Sequence, residues 1–220
     1  MARQCAQLRD VTVWAIVVAA GGGTRFGAPK QFARLAGATV IDRSLGTVRR
    51  IVDGVVVVLP ADTVWKAPDG VATAIGGRTR SDSVRAGLAL VPVEADIVLV
   101  HDAARPLATA ALFRTVIDAV RGGADAVVPA IAVGDTIKRV KGDRVVTTVD
   151  RSDLVAVQTP QGFAAVALRA AHTACPDATD DAALVEANGG IVVIVPGERR
   201  NFKITVSEDL EFAAAILETT

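Results

Sequence analysis

VWAIVVAAGGGTRFGAPKQF, residues 13–32, runs eight apolar residues into three glycines and then presents Arg25 and Lys30. The apolar half has no polar face, so it reads as a strand buried on both sides, the kind found in mostly parallel sheets. Four more runs repeat it: VVVVLP (55–60), DIVLVHD (96–102), ADAVVPAI (124–131) and IVVIVP (191–196). Between them, amphipathic stretches near 40–50, 82–91, 107–121, 163–172, 180–188 and 207–218 predict helices. Ser207 followed by Glu208 and Asp209 predicts the start of the last one, a hydroxyl N-cap with acids in the first turn. Strands alternating with helices predict an α/β fold, a doubly wound, mostly parallel sheet with right-handed crossovers.

At 220 residues the chain suits a single domain over 1–220, with a short N-terminal extension at 1–11. It is 51% hydrophobic and 22% charged, which predicts a globular protein; aromatics are only 4%, with no tyrosine, so the core must be Ala, Val, Leu and Ile. The net charge of zero argues against a nonspecific nucleic-acid binder or a polybasic membrane binder. Cys5 and Cys175 have no metal-ligand spacing and make no disulfide framework, which points to a reducing compartment. The run 13–20 is too short to span a membrane and lacks a signal-peptide layout, so the cytoplasm is the expected location. One segment breaks the rhythm. DTIKRVKGDRVVTTVD (135–150) places two short β-like runs around Lys141-Gly142-Asp143, predicting a hairpin inserted at about 133–152. A plain surface hairpin and an arm that packs on a second subunit both fit that pattern.

The glycine loop follows the first strand, at the carboxyl edge where open α/β sheets bind ligands. Glycines there let backbone N–H groups approach phosphate oxygens. Gly21, Gly23 and Gly27 give G-x-G-x-x-x-G, one residue too long for a dinucleotide fingerprint, and the expected acid falls near Asp42 inside a predicted helix. That speaks against a nicotinamide-dependent oxidoreductase. A P-loop needs G-K-[ST], whereas Lys30 lies between Pro29 and Gln31. What remains is A-G-x-G-x-R followed by P-K, carried by Ala20-Gly21-Gly22-Gly23-Thr24-Arg25 and Pro29-Lys30, or a glycine turn with no ligand.

The motifs continue through GGRTRSDSVRAGL (76–88), VHDAARPL (100–107), GDTIKRV (134–140), VDRSDLVAVQTPQGF (149–163), TDDAALVE (179–186) and NFKITVSEDL (201–210). In that order they resemble the sugar-phosphate nucleotidyltransferases, and within them the 2-C-methyl-D-erythritol 4-phosphate cytidylyltransferase family. The resemblance covers all but the first dozen residues. It implies a Rossmann-like nucleotidyltransferase fold with a protruding β-arm, and transfer of a cytidylyl group from CTP to a polyol phosphate with release of pyrophosphate. The attacking phosphate is already anionic at neutral pH, so no general base is needed, in keeping with only two histidines. Charge neutralisation and in-line alignment are what such a reaction requires.

By the same resemblance Lys30 and Arg25 meet the α-phosphate and its developing charge. Ala19, Ala20, Gly21, Gly22, Gly23, Gly77 and Ser83 hold CTP. Asp102, Arg105, Thr136, Arg151, Thr159 and Lys203 hold the second substrate, with Asp102, Arg151 and Lys203 also counted as catalytic. Thr136 and Arg151 would come from the other subunit of a homodimer formed through the β-arm. Mg²⁺ or another divalent cation is implied on the triphosphate, with Asp102 as ligand or as orienter beyond the ligand shell. Arg78 and Arg80 are open between the triphosphate and solvent, and His101 is expected to be packed rather than catalytic. Ribitol 5-phosphate or a related pentitol phosphate is the rival acceptor, and a noncatalytic nucleotide-binding protein the rival class.

Overall fold

The computed structural model describes residues 11–22, 26–173 and 177–219. The chain runs β1 (Val13–Val18), a 3-10 turn (Lys30–Phe32), β2 (Arg34–Leu35), β3 (Ala38–Thr39), α1 (Val40–Val48), β4 (Gly54–Leu59), β5 (Val71–Ile75) and α2 (Arg80–Leu88). It continues through β6 (Ile97–Asp102), α3 (Ala110–Arg121), β7 (Ala126–Ala132), β8 (Ile137–Lys141), β9 (Arg144–Val149), β10 (Val155–Val157) and β11 (Gln161–Ala164). The last elements are α4 (Ala165–Thr173), α5 (Asp181–Ala187), β12 (Val192–Pro196) and α6 (Ser207–Glu218).

All five apolar runs are strands of one eight-stranded sheet, in which β5, β4, β1 and β6 are parallel neighbours and β12 pairs β7 in parallel. The fold is α/β and Rossmann-like. Two strands run against the rest. β11 lies between β6 and β7, antiparallel to both. β10 is antiparallel to β7 as well, and the register shows it leading into β11 along the same strand. Val155–Val157 face Ala132–Ala130, and Gly162–Phe163 face Val127–Ala126.

Side chains alternate faces along each strand, so every central strand feeds two cores. Ala15 and Val17 of β1 join α1 and α3 through Ile41, Leu45, Phe113 and Val116, while Ile16 joins α2, α4 and α5 through Val84, Leu168 and Leu184 on the other face. A third, smaller cluster seats α6 by Ala213 against Leu35, Val40 and Ile204.

Several element starts differ from the sequence reading, each for a local reason. α2 begins at Arg80 because Thr79 and Asp82 form a reciprocal capping box, Thr79 Oγ1 accepting from the Asp82 N–H and the Asp82 carboxylate from the Thr79 N–H. α3 begins at Ala110, where Thr109 Oγ1 accepts from the Leu112 N–H. Phe163 and Ala164, expected in a helix, belong to β11. In α6, Ser207 is not the N-cap: Val206 stands there, and the Asp209 carboxylate accepts the N–H groups of Thr205 and Val206 at 2.6 and 3.0 Å. Residues 137–149 form the hairpin β8–β9, paired only with itself, in a separate two-stranded sheet. Among the described residues no helix is long and apolar enough to cross a membrane.

Candidate active site

The register brings three strand ends to one edge. Val18 pairs with Asp102 on one side and with Val58 on the other, so the glycine loop, the end of β6 and the end of β4 meet. Backbone bonds carry the alignment past the strands: the Ala19 N–H donates to Val58 O, the Ala103 N–H to Val18 O and the Gly76 N–H to Leu59 O, at 2.8, 3.0 and 2.8 Å. Above this edge opens a cavity of about 380 Å³, within the range of small-ligand sites.

Its lining gathers residues scattered along the chain. Ala19 to Gly22 form one side; Gly77, Arg78, Thr79, Arg80 and Ser83 form another; Asp102 to Ala104, Lys203 and Thr205 close it, with Lys30 and Gln31 beside the glycines. Gly21 and Gly22 are exposed, and a Cβ on either would meet no atom of the described residues within 4 Å. Packing among the described residues does not require them to be glycine, and their backbone is left open to close approach by a ligand. Gly76 and Gly77 are different. A Cβ on Gly76 would lie 2.3 Å from Ala20 Cβ, so glycine there lets this wall press against the glycine loop, and one on Gly77 would lie 2.2 Å from Asp82 Cβ, so glycine there lets the segment pack on the start of α2.

Gln31 fixes that loop from below. Buried, it donates from Nε2 to Ala19 O at 2.8 Å and to Gly21 O at 3.3 Å, taking up carbonyls that flank Ala20. Asp102 is the cavity's carboxylate and is only 7% exposed. Lys203 Nζ lies 2.7 Å from one of its oxygens, and Arg80 lies 3.5 Å from the other. Burial alone would raise the Asp102 carboxyl, but the Arg80 guanidinium and the Lys203 ammonium outweigh it and hold the group well below the usual carboxylate range. Asp102 is therefore ionised at neutral pH and only accepts hydrogen bonds. Among the described residues the cavity is lined by four cationic side chains, Lys30, Arg78, Arg80 and Lys203, and by this one anion. It is built for a polyanion.

Of the residues singled out in the sequence, Lys30, Asp102, Lys203, Ala19, Ala20, Gly21, Gly22, Gly77 and Ser83 are brought together here. Gly23 and Arg25 lie outside the described residues. Thr159, expected to hold the second substrate, is buried beneath the site: its Oγ1 accepts the Asp102 N–H at 3.0 Å and contacts His101 Nδ1 at 3.1 Å. Its hydroxyl positions Asp102 from within the protein. Arg105, expected on the substrate phosphate, is not among the lining residues; its Nη1 donates to Asn201 O at 2.7 Å. Burial pushes the Arg105 guanidinium down, with Asp102 opposing. Thr136 and Arg151 are exposed and outside the cavity of their own chain, and Arg151 donates to the carbonyls of Val133 and Gly134 at the foot of the hairpin.

Sequence reasoning missed the supports. Asn201, fully buried, donates from Nδ2 to Thr159 O at 2.8 Å and to Gln158 Oε1 at 3.3 Å, and the Ile204 N–H donates to Ala104 O. Together they clamp the segment that carries Lys203. The only signal was an amide two residues before a lysine in N-F-K-I-T. His101 is fully buried, edge-on to Phe113 with ring centroids 5.0 Å apart, and burial pushes its pKa down to about 4, so it is neutral and packed.

A family model described as 2-C-methyl-D-erythritol 4-phosphate cytidylyltransferase matches residues 13–219. The chain is 47% identical to the 2-C-methyl-D-erythritol 4-phosphate cytidylyltransferase of Saccharopolyspora erythraea, over 94% of this chain and 100% of that one. It is also 47% identical to a bifunctional enzyme IspD/IspF of Clavibacter michiganensis, over 92% of this chain and 53% of the relative; the chain thus spans about half the length of the bifunctional relatives it matches. Among solved structures, the 2-C-methyl-D-erythritol 4-phosphate cytidylyltransferase of Thermus thermophilus superposes with a TM-score of 0.83 at 34% identity, covering 96% of this chain and 100% of that one.

Proposed function

The chain belongs to the 2-C-methyl-D-erythritol 4-phosphate cytidylyltransferase family, and from that membership we propose that it transfers a cytidylyl group from CTP to 2-C-methyl-D-erythritol 4-phosphate. The products are 4-diphosphocytidyl-2-C-methyl-D-erythritol and pyrophosphate, in the non-mevalonate route to isoprenoid precursors. The observation that carries this reading is the cavity itself, lined among the described residues by four cationic side chains and one ionised carboxylate, beside a glycine loop open to a ligand.

In the reaction an oxygen of the polyol phosphate attacks the α-phosphorus of CTP. A new P–O bond forms, the bond to the β-phosphate breaks, and its electrons leave with pyrophosphate. The attacker is anionic at neutral pH, so no residue has to remove a proton. The chain's part is to bring two anions together and to stabilise the charge spread over the transferring group. Lys30 and Lys203, with Arg25, take that role, and Arg78 and Arg80 add to the positive field. Lys203 starts on Asp102 and is held there by a carboxylate that stays charged. Backbone groups of Ala19, Ala20 and Gly21, with Gly77 and Ser83, suit the cytosine and its ribose. Cytosine offers an amino donor where uracil offers an oxygen, so carbonyl acceptors would favour it.

A divalent ion fits this site in a limited way. Among the described residues Asp102 is the one carboxylate lining the cavity, and no group of three or more His, Cys, Asp or Glu could cage a metal. One carboxylate suits Mg²⁺ carried in on phosphate oxygens and water, with Asp102 as its direct or water-bridged protein contact. Bound there, the ion would neutralise charge on the triphosphate.

Thr136 and Arg151 lie outside their own chain's cavity, which supports a homodimer whose hairpins supply them across the interface. The test of the whole reading is pyrophosphate release with CTP and Mg²⁺, offering methylerythritol phosphate and ribitol 5-phosphate separately. Release with methylerythritol phosphate is expected. Preference for the pentitol keeps the chemistry and changes the acceptor, and release with neither overturns the reading in favour of a nucleotide-binding protein.

A further inference from the structure

From Arg80 a line of charged side chains runs behind the cavity wall, and its inner members, Asp181 and His172, have no part in the reaction above. Arg80 is the first residue of α2 and lines the cavity. Its Nη1 meets Oδ2 of Asp181 at 2.5 Å, a residue 101 positions away and fully buried. The other Asp181 oxygen, Oδ1, faces Nε2 of His172 at 3.0 Å. A carboxylate only accepts, so that nitrogen of His172 carries the proton. The Nδ1 of this buried histidine has no hydrogen-bond partner among the described residues, so Asp181 is its polar contact. Two further bonds hold the geometry: the Ala178 N–H donates to Ser81 Oγ, tying the start of α2 to the segment before α5, and Gln161 Nε2 donates to Asp180 at 2.8 Å, tying that segment to β11.

A buried carboxylate is costly and is weak evidence of a stabilising role, because apolar residues of similar size serve stability as well. Its place here suggests a different purpose. Arg80 sits 3.5 Å from Asp102 but 2.5 Å from Asp181, so its tight anchor lies on the side away from the reacting groups. An arginine held from behind keeps its remaining N–H groups pre-organised toward the cavity, which matters more for a polyphosphate contact than charge alone.

We propose that Arg80 contacts the phosphates of the bound nucleotide and that Asp181, backed by His172, is the positioning residue that aims it. The inference rests on the cytidylyltransferase reading for the identity of the nucleotide. Burial by itself would lower the Arg80 pKa, and the Asp181 and Asp102 carboxylates reverse that and raise it, so the contact is cationic at any working pH.

A double-mutant cycle tests this, with Arg80→Ala, Asp181→Asn and both together, each read in two ways. The first readout is the rise in melting temperature caused by CTP alone, and the second is steady-state pyrophosphate release. Each single variant should lose most of the CTP-induced shift and at least about tenfold in kcat/KM for CTP, the scale of losing one aimed charge contact. KM for the polyol phosphate should change much less. Asp181→Asn should then cost little further in the Arg80→Ala background. Equal losses from Asp181→Asn in both backgrounds would mean a structural role and overturn the proposal, as would wild-type CTP response in either single variant. If Asp181→Asn does not fold, Arg80→Met with Asp181→Leu removes both charges together and should match Arg80→Met alone in both readouts; a further loss overturns the proposal. The two readouts separate this inference from the one it rests on. A wild type without pyrophosphate release but with a coupled CTP response sinks the catalytic reading alone, whereas an active wild type with uncoupled variants sinks this inference alone. Absence of any CTP response in the wild type sinks both.

Discussion

Gln31 exerts its effect through two carbonyls. Its amide donates to Ala19 O and Gly21 O, so the loop presents Ala20 and its neighbours to the cavity in one conformation. Gln31→Glu would replace that donor by an acceptor-only carboxylate facing the same two carbonyls. The expected outcome is a folded protein whose CTP affinity, measured by calorimetry, falls at least about tenfold, because unpaired buried acceptors cost about 1–3 kcal/mol and the new charge adds to it. Gln31→Met should lose less, since it removes the donor without the repulsion; equal binding by wild type and Gln31→Glu would show that the loop holds itself. His101 gives a prediction of another kind. Its folded pKa, lowered to about 4, lies below the 6.5 of an unfolded histidine, so the unfolded chain takes up a proton first as the solution is acidified. The stability that its neutral form contributes is therefore intact above pH 6.5 and is lost as pH falls toward 4. Between pH 7 and pH 5 the loss amounts to about 2 kcal/mol by linkage. Urea denaturation at those two values should show this drop in the wild type and a smaller one in His101→Gln. Asp102 does not confound the window, because its depressed carboxyl loses stability only as pH falls below the ordinary carboxylate pKa.

Elements set where those residues stand, and α2 is the one to test. Its first residue is Arg80, its cap is Thr79, and its interior Gly87 packs flat on the sheet: a Cβ there would lie 2.6 Å from Ile16 and 2.9 Å from Val58. Gly46 in α1 has nothing within 4 Å of the same atom. Gly→Ala in a helix interior brings up to about 1 kcal/mol of propensity, while overpacking a core costs about 1–3 kcal/mol. Gly46→Ala should thus raise the melting temperature, and Gly87→Ala should lower it and weaken CTP binding by lifting Arg80 and Ser83 from the wall. The opposite order would mean that α2 is not clamped to β1 and β4. What could be read from sequence follows the same division. The five apolar runs, the hairpin and the glycine loop announce themselves, because an apolar strand run has no polar alternation and a turn needs its glycines; four of the runs are buried as expected, whereas β12 leaves Val193 and Ile194 exposed. β5 does not: VATAI is a short, half-exposed edge strand. β11 is missed because Gln161 to Ala164 acquire strand character only from being wedged between β6 and β7, where a Cβ on Gly162 would touch Val116 of α3 at 2.5 Å. The cationic and glycine positions of the site were legible as motifs, while Gln31, Asn201 and Asp181 were not, since their partners are 9 to 101 residues distant and only the fold brings them near.

At the scale of the molecule, the hairpin β8–β9 stands apart from everything else. Val145 and Val146 point to opposite faces of β9, yet they are 61% and 60% exposed, so neither face of the hairpin is covered by the described residues of its own chain. A two-stranded hairpin alone is marginal in water and gains its stability by packing on another surface. Thr136 and Arg151 stand at its foot, outside the cavity of the chain that carries them. A homodimer in which each hairpin lies on the partner accounts for both facts, and light scattering at micromolar concentration should give twice the mass of one chain. Mass alone does not show who supplies Arg151, so complementation is the sharper test. Arg151→Ala and Lys203→Ala should each be nearly inactive. If Arg151 acts across the interface, a mixed dimer of the two contains one site with an intact Lys203 from its own chain and an intact Arg151 from the other, and one site with neither. Random exchange of subunits should then restore roughly a quarter of the wild-type activity, since half the dimers are mixed and half their sites are whole. If Arg151 serves its own chain, both sites of the mixed dimer lack one residue, and mixing restores nothing.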